Sequence, residues 1–413
     1  MGTYFTKTQG IGGRIKKRIA DFKVREIAKN GEMCEIEAFD DTEKKELEKQ
    51  WPENSAMKEH LILVLEKYNT DQNNAIRMLT RHLQTSRKRI GFAGMKDKRA
   101  ITSQKISVWK PDYERMKSFR SRYVDLRMPE WSDDRIELGD LLGNAFEITI
   151  REIDGTEDGI SRNILDFFKE AENGIPNYFG EQRFGGIRQV THLVGREFVK
   201  GSPEKAVMTY LTFTNEREEE DVRAARIALA ETLDFSKATK EFPMKYRYER
   251  SIIHHLCRYP KDYVGAFQKL PMKLQYMFTH ALQSWLFNKI IERRIEMGFG
   301  LGKIDGDLLE DGVPTAPLYG FESVLAEGAA GDIERAVLEE NGFSLSDFKV
   351  KSYPQLSSKG ARKRIALFPK KMALLGISAD DFTEGKMKAT ISFELEKGAY
   401  ATTVLRELTK QES

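Results

Sequence analysis

Gly91-Phe92-Ala93-Gly94-Met95-Lys96-Asp97-Lys98-Arg99-Ala100-Ile101-Thr102-Ser103-Gln104-Lys105-Ile106-Ser107-Val108 reads as a glycine-hinged loop running into a strand. From Ile101 onward, two sets of residues alternate imperfectly. One carboxylate, Asp97, stands among Lys96, Lys98 and Arg99. From Arg81 to Arg122 there are thirteen Lys or Arg against three Asp or Glu, a local formal charge of +10 where the whole chain carries +3. Such a patch can hold a polyanion through its phosphates. Its cations favour a carboxylate in anionic form. On chemistry alone Asp97 also fits a surface salt-bridge residue in a solvated basic loop.

Working outward, Phe22, Val24 and Ile27 give partial alternation, and Glu32 to Glu37 is another short strand candidate. Residues 40–58 are charge-rich and interrupted by Pro52, which predicts a surface loop or a frayed helix. Leu61-Ile62-Leu63-Val64-Leu65 predicts a buried strand, followed by a helix capped at Thr70 with Ala75, Ile76, Leu79 and Leu83 on its inner face. Ala145 to Arg151 alternates cleanly, and a helix is expected over 161–172, stopped by Gly174-Ile175-Pro176. The aromatic, glycine-rich run Asn177-Tyr178-Phe179-Gly180-Glu181-Gln182-Arg183-Phe184-Gly185-Gly186 fits either a tight turn packed by its rings or a wall for a nucleobase. From about 190 to 355 the pattern is mostly helical. A long helix is expected over 274–294, its Phe278, Leu282, Trp285, Leu286, Lys289, Ile290 stripe read as core. Lys359 to Arg364 is a second basic cluster, either a solvated turn or an RNA-phosphate contact. Ile391, Phe393 and Leu395 mark a last strand, and Val404, Leu405 and Leu408 a helix after Tyr400.

A chain of 413 residues is long enough for two or three domains. With 40% apolar and 32% charged residues it suits a water-exposed globular protein. No apolar run approaches a membrane span, and no apolar signal segment opens the sequence. The two cysteines, Cys34 and Cys257, make no disulfide framework or four-ligand metal site and are read as small apolar fillers. No GxGxxG or Walker sequence occurs, which argues against a dinucleotide or P-loop enzyme.

Gly94-Met95-Lys96-Asp97-Lys98-Arg99-Ala100-Ile101-Thr102-Ser103-Gln104 resembles the catalytic motif of the TruD family of tRNA pseudouridine synthases. Further segments agree in family order: Ile15-Lys16 with Asp21-Phe22-Lys23-Val24-Arg25-Glu26; Asn177 through Gly185, similar to NxFGxQRFG; His280 to Ser284; Pro314 to Gly320, with Ala316 in place of a family glycine; and Tyr400 to Glu407. The chain departs from the family at Ile19-Ala20, where Pro-Glu is common.

The resemblance implies an α+β fold: a pseudouridine synthase catalytic core with a curved mixed sheet, interrupted by a mainly helical α+β insertion. The expected divisions are residues 1–190 and 356–413 for the core and 191–355 for the insertion. It further implies conversion of a tRNA uridine, typically uridine 13 in the D arm, to pseudouridine. Asp97 resembles the essential aspartate, Lys16 the supporting active-site lysine, and Asn177 and Phe179 the residues enclosing the uracil. Arg87, Lys88, Arg89, Lys96, Arg183, Arg362, Lys363 and Arg364 are candidates to contact RNA. The isomerisation gains and loses no group, so neither a cofactor nor a metal is expected. The expected partner is tRNA, with no membrane and no obligate protein partner, and the expected location is the cytoplasm. The reading from a different class is a non-catalytic protein that binds structured tRNA through the same basic surface.

Overall fold

The computed structural model describes residues 4–40, 43–55 and 57–411. In chain order the first elements are β1 (Phe22–Ala28), β2 (His60–Tyr68), α1 (Gln72–His82), β3 (Ile90–Phe92), β4 (Ile101–Trp109), α2 (Tyr113–Lys117), β5 (Val124–Ser132), β6 (Leu141–Ile153) and α3 (Glu157–Ala171). Then come β7 (Ile175–Pro176), α4 (Thr191–Val199), α5 (Pro203–Thr212), α6 (Glu220–Thr232), α7 (Phe235–Glu241), α8 (Arg247–Arg258), α9 (Tyr263–Phe267), α10 (Met272–Glu296), β8 (Leu309–Glu310), β9 (Val313–Leu318), α11 (Gly328–Glu340), β10 (Ala361–Arg364) and β11 (Ala366–Leu367). The last are β12 (Lys370–Ala379), β13 (Met387–Glu396) and α12 (Ala401–Thr409).

Contacts divide the chain into two units, one of Thr6–Gly174 with Phe368–Glu412 and one built on Ile175–Leu367. The fold is thus α+β, a sheet core with a mainly helical insertion. The divisions fall at 174/175 and 367/368, outside the edges near 190 and 355 estimated from sequence. The reason is local: β7 pairs with β11, so the aromatic run after Pro176 and the strand before Phe368 are tied to the inserted unit.

The sheet unit carries an eight-stranded mixed sheet in the order β12-β13-β6-β1-β4-β2-β5, with β3 joining β4. Only β1 and β4 run parallel; the other pairs are antiparallel. Strand β1 buries Phe22, Val24, Glu26 and Ala28 alternately, as a pleated strand must. Strand β2 lies between β4 and β5 and is buried on both faces, which its unbroken apolar run anticipated. Leu61, Leu63 and Leu65 pack with Ile106, Val108 and the Ala75, Ile76, Leu79 face of α1. Asp71 rather than Thr70 caps that helix, accepting the Asn74 N–H at 2.9 Å, while Thr70 accepts the Asn74 side-chain amide. Glu32 to Glu37 is not a strand beyond one bridge, Met33 to Ile27. The chain that follows is organised by a buried carboxylate: Glu66 accepts the N–H groups of Glu37, Ala38 and Phe39. Apart from 41, 42 and 56, which lie outside the described residues, 40–58 holds no helix.

In the inserted unit α10 runs through the core, burying Phe278, Leu282, Leu286 and Ile290, with Trp285 half-buried and Lys289 paired outward with Glu292. Two small sheets, β10-β9-β8 and β11-β7, complete it. Cys34 is buried in the sheet unit, but Cys257 is exposed on α8 and fills no core. Among the described residues no helix is long and apolar enough to cross a membrane.

Candidate active site

Strand β3, which leads into the loop before β4, has a glycine at its centre for steric reasons. A Cβ on Gly91 would lie 2.2 Å from the Ile136 carbonyl oxygen and 2.5 Å from Ser107 Oγ. Beyond it the loop is fastened at three places. Gln104 Nε2 donates to the Gly94 carbonyl at 3.2 Å. The Lys96 ammonium is buried and bonded to Glu26 Oε2 at 2.7 Å and Asn144 Oδ1 at 2.8 Å. Lys67 Nζ donates to the Asp97 carbonyl oxygen. With its backbone held, Asp97 leaves its side chain 42% exposed, and Oδ1 accepts from Lys16 Nζ at 3.0 Å.

Lys16 comes from the segment before β1 and has φ 58°, a left-handed conformation uncommon for a side-chain-bearing residue. Arg99 holds it there: Nε donates to the Lys16 carbonyl at 2.8 Å and Nη2 to that of Lys17 at 3.0 Å. The Lys16 stem lies against Phe22, with the ammonium 4.0 Å from the ring centroid. The adjacent Lys17 turns away and pairs with Glu152. The result is an exposed carboxylate beside one ammonium, both on a braced backbone. It suits nucleophilic or proton-abstracting chemistry on a substrate that comes to it.

Lys96, a candidate for RNA contact, is instead consumed inside the sheet unit. Its desolvated ammonium is offset by the buried Glu26 carboxylate. Arg87, Lys88 and Arg89 form a short 3-10 turn after Ser86. Arg87 donates to Asn73 at 2.7 Å, Lys88 is exposed, and the Arg89 guanidinium lies 5.1 Å from the Trp109 ring. Arg87 also lines a cleft of about 430 Å³ with Asp71, Asn73, Asn74, Arg77 and Thr80.

Within the inserted unit, the backbone N–H of Asn177 donates to the Ile365 carbonyl at 2.8 Å and its side-chain amide to that of Arg364 at 3.0 Å. Its Oδ1 is buried without a partner among the described residues, leaving an acceptor for an incoming donor. Phe179 is held by a reciprocal pair: its N–H donates to Asn288 Oδ1 at 2.9 Å and its carbonyl accepts from Asn288 Nδ2 at 3.0 Å. Its ring meets Phe287 edge-on at 5.6 Å, with the Arg183 guanidinium 5.5 Å and the Lys363 ammonium 5.2 Å from its centroid. Arg183 also donates to Ser284 Oγ at 3.0 Å.

The second basic cluster is not a solvated turn. Lys363 and its neighbours form β10, paired with β9. Arg362 is tied to buried Glu334 at 2.5 Å and to Thr315, and Arg364 pairs with Asp311 and Glu310. Lys363 is half-buried, and burial drives its pKa down to about 7 against a smaller opposing pull from Glu310. Two of the three cations therefore have internal carboxylates, which sequence proximity of charge does not reveal.

Sequence reading missed Lys67 and Arg99, the two cations that brace Asp97 and Lys16. The signal for Lys67 was a charged pair, Glu66-Lys67, ending an otherwise apolar buried strand.

The model of the family described as tRNA pseudouridine synthase D (TruD) matches residues 1–312 and 309–408. A probable tRNA pseudouridine synthase D of Methanococcoides burtonii is 39% identical, covering 99% of this chain and 95% of the relative. One from Methanopyrus kandleri is 42% identical over 84% of this chain and 85% of the relative. The crystal structure of a candidate tRNA pseudouridine synthase D from Methanosarcina mazei superposes with a TM-score of 0.81 at 36% identity, covering 100% of this chain and 97% of that one. With the family model matched along nearly the whole chain and relatives of this identity covering it end to end, the chain belongs to the tRNA pseudouridine synthase D (TruD) family.

Proposed function

We propose that this protein isomerises a uridine of tRNA to pseudouridine, acting on uridine 13 of the D arm with Asp97 as the reacting carboxylate, in the cytoplasm. The observation that carries the reading is the contrast at Asp97: a backbone fixed from three sides under an exposed carboxylate with Lys16 3.0 Å away. Family membership supports the reaction, and the motif resemblance supports the choice of uridine.

The reaction breaks the N1–C1′ bond, turns the uracil, and joins C5 to C1′. The C5 proton leaves and N1 is protonated, so the atoms balance within the nucleotide. Asp97 begins it by attacking C1′ or by taking the 2′ proton; either needs a nucleotide removed from its stack. Lys16 stabilises charge on the carboxylate and during bond cleavage. The motif resemblance alone assigns Asn177 and Phe179 to the uracil: Asn177 Oδ1 is an acceptor for an N–H such as that of uracil N3, and the Phe179 ring is buried within the inserted unit.

The test is Asp97→Asn, which keeps size and removes the anion. Single-turnover pseudouridine formation should fall by roughly three orders of magnitude or more. The melting temperature and the tRNA titration should stay close to wild type. A folded, tRNA-binding Asp97→Asn protein with near-wild-type product formation would falsify the role. A wild-type protein that binds tRNA and forms no pseudouridine favours a binding protein instead.

A further inference from the structure

Glu66 and Lys67 sit side by side at the end of β2 and point to opposite faces of the sheet. Both are completely buried. Glu66 accepts three backbone N–H groups and faces the buried Arg127 guanidinium at 3.3 Å. The Lys67 ammonium instead donates to a backbone carbonyl, that of Asp97. An ammonium inside a sheet costs several kcal/mol of desolvation. A methionine or leucine would fill the same space, so packing gives no reason for a lysine.

The neighbours of Lys67 say what the charge does. Its cross-strand partners, Thr102 on β4 and Val124 on β5, are uncharged. The charged groups that reach it are Asp97 and Lys96 of the loop and Asp71 at the cap of α1. Gln104, two residues beyond Thr102 and on the same face, holds the Gly94 carbonyl. One face of the β2–β4 pair thus grips the loop at both ends of Gly94 to Asp97, while Glu26 and Asn144 hold Lys96 between them.

We propose that Lys67 is a positioning residue for the reaction: its buried ammonium fixes the Asp97 backbone, sets the direction of the carboxylate, and supplies a second positive charge near it. The proposal rests on Asp97 being the reacting group. It makes the catalytic carboxylate the top of a stack whose foot is the centre of the sheet.

The experiment is Lys67→Met, which retains most of the stem and removes donor and charge. Single-turnover pseudouridine formation with saturating enzyme should fall roughly 100-fold, the cost expected of a reacting group displaced by about an ångström. The tRNA dissociation constant should stay within about two-fold and the melting temperature should not drop, because a desolvated charge has gone. A second readout is the pH profile. Burial lowers the Lys67 pKa to about 8, so its charge is present below that pH and lost above it. The wild-type rate should decline as pH rises through about 8, and Lys67→Met should lack that limb.

Near-wild-type chemistry in Lys67→Met, or chemistry and binding lost in equal measure, would overturn the proposal. So would a wild-type profile that is flat through pH 8. If the methionine variant does not fold, Lys67→Arg decides: the limb should move to higher pH, and a limb left in place counts against Lys67. A wild-type protein that forms no pseudouridine refutes the proposed function itself. Product from wild type together with an unimpaired Lys67→Met refutes this proposal alone.

Discussion

Lys363 is half-buried beside two phenyl rings, 5.2 Å from the Phe179 centroid and 5.6 Å from that of Phe287. Among the described residues it has no ion pair, whereas Arg362 and Arg364 on the same strand both do. Its folded pKa of about 7 lies well below the ordinary lysine value, so between pH 7 and about 10.5 the unfolded chain holds the proton more firmly. Unfolding free energy therefore gains from Lys363 as pH rises through that window. Lys363→Met removes the linkage: the variant should be the more stable protein, relative to wild type, at pH 6.5, and lose that advantage by pH 9.5. Urea titrations of both proteins at the two pH values measure it. Equal differences at both would mean that the ammonium is solvated. The charge of this residue was plain in the sequence, but its surroundings were not, because Phe179 and Phe287 come from distant parts of the chain.

At the scale of elements, the turn Arg87–Arg89 leaves charge available to a ligand: Lys88 is exposed, and Arg87 donates to the neutral amide of Asn73. Replacing all three by glutamine should weaken tRNA binding and lower the slope of log affinity against log salt by about 2 to 3, one counterion's share per phosphate contact. An unchanged slope would make the turn a bystander. What sequence reveals at this scale follows from period. Strand β13 alternates buried Ala389, Ile391, Phe393 and Leu395, and α10 repeats its apolar face, so both could be read directly. The Asp97 loop was readable for another reason, its chemistry being contiguous in the chain. Glu32 to Glu37 misled because its alternation found no partner strand, and the following segment took the Glu66 carboxylate instead. The grip of Lys67 on Asp97 and of Arg99 on Lys16 spans tens of residues, and no local pattern encodes it.

At the scale of the whole molecule, the sheet unit is assembled from chain segments far apart, and Arg151 of β6 joins them. It bonds Asp21 at 2.8 Å, Asp380 at 2.9 Å and Asp381 at 2.8 Å. Burial pushes the Asp380 carboxyl up, but the N–H groups of Glu152 and Phe382 and the Arg151 guanidinium more than offset this and hold it below its usual range. Such a group stabilises the fold above the ordinary aspartate pKa, and its contribution fades as acid protonates it. Arg151→Met strands buried Asp21 and Asp380, so it should cost about 3–5 kcal/mol at pH 7. The cost should persist at pH 4 and shrink only below the ordinary aspartate pKa of 3.8, and urea unfolding at pH 7 and about pH 3 tests this; a loss independent of pH would point to packing alone. The pairing of Gly143 with Glu396 and of Ile153 with Met387 has a further consequence, this one in time. A ribosome releases β6 long before β13, with the whole Ile175–Leu367 unit emerging between them. The inserted unit has all of its strands once Leu367 is out, whereas β6 must wait with an open edge for its last neighbour. Late, long-range pairing of this kind slows folding and exposes a nascent sheet to aggregation. During synthesis, then, the sheet stays half-built, with the β6 edge unpaired, until β13 has emerged.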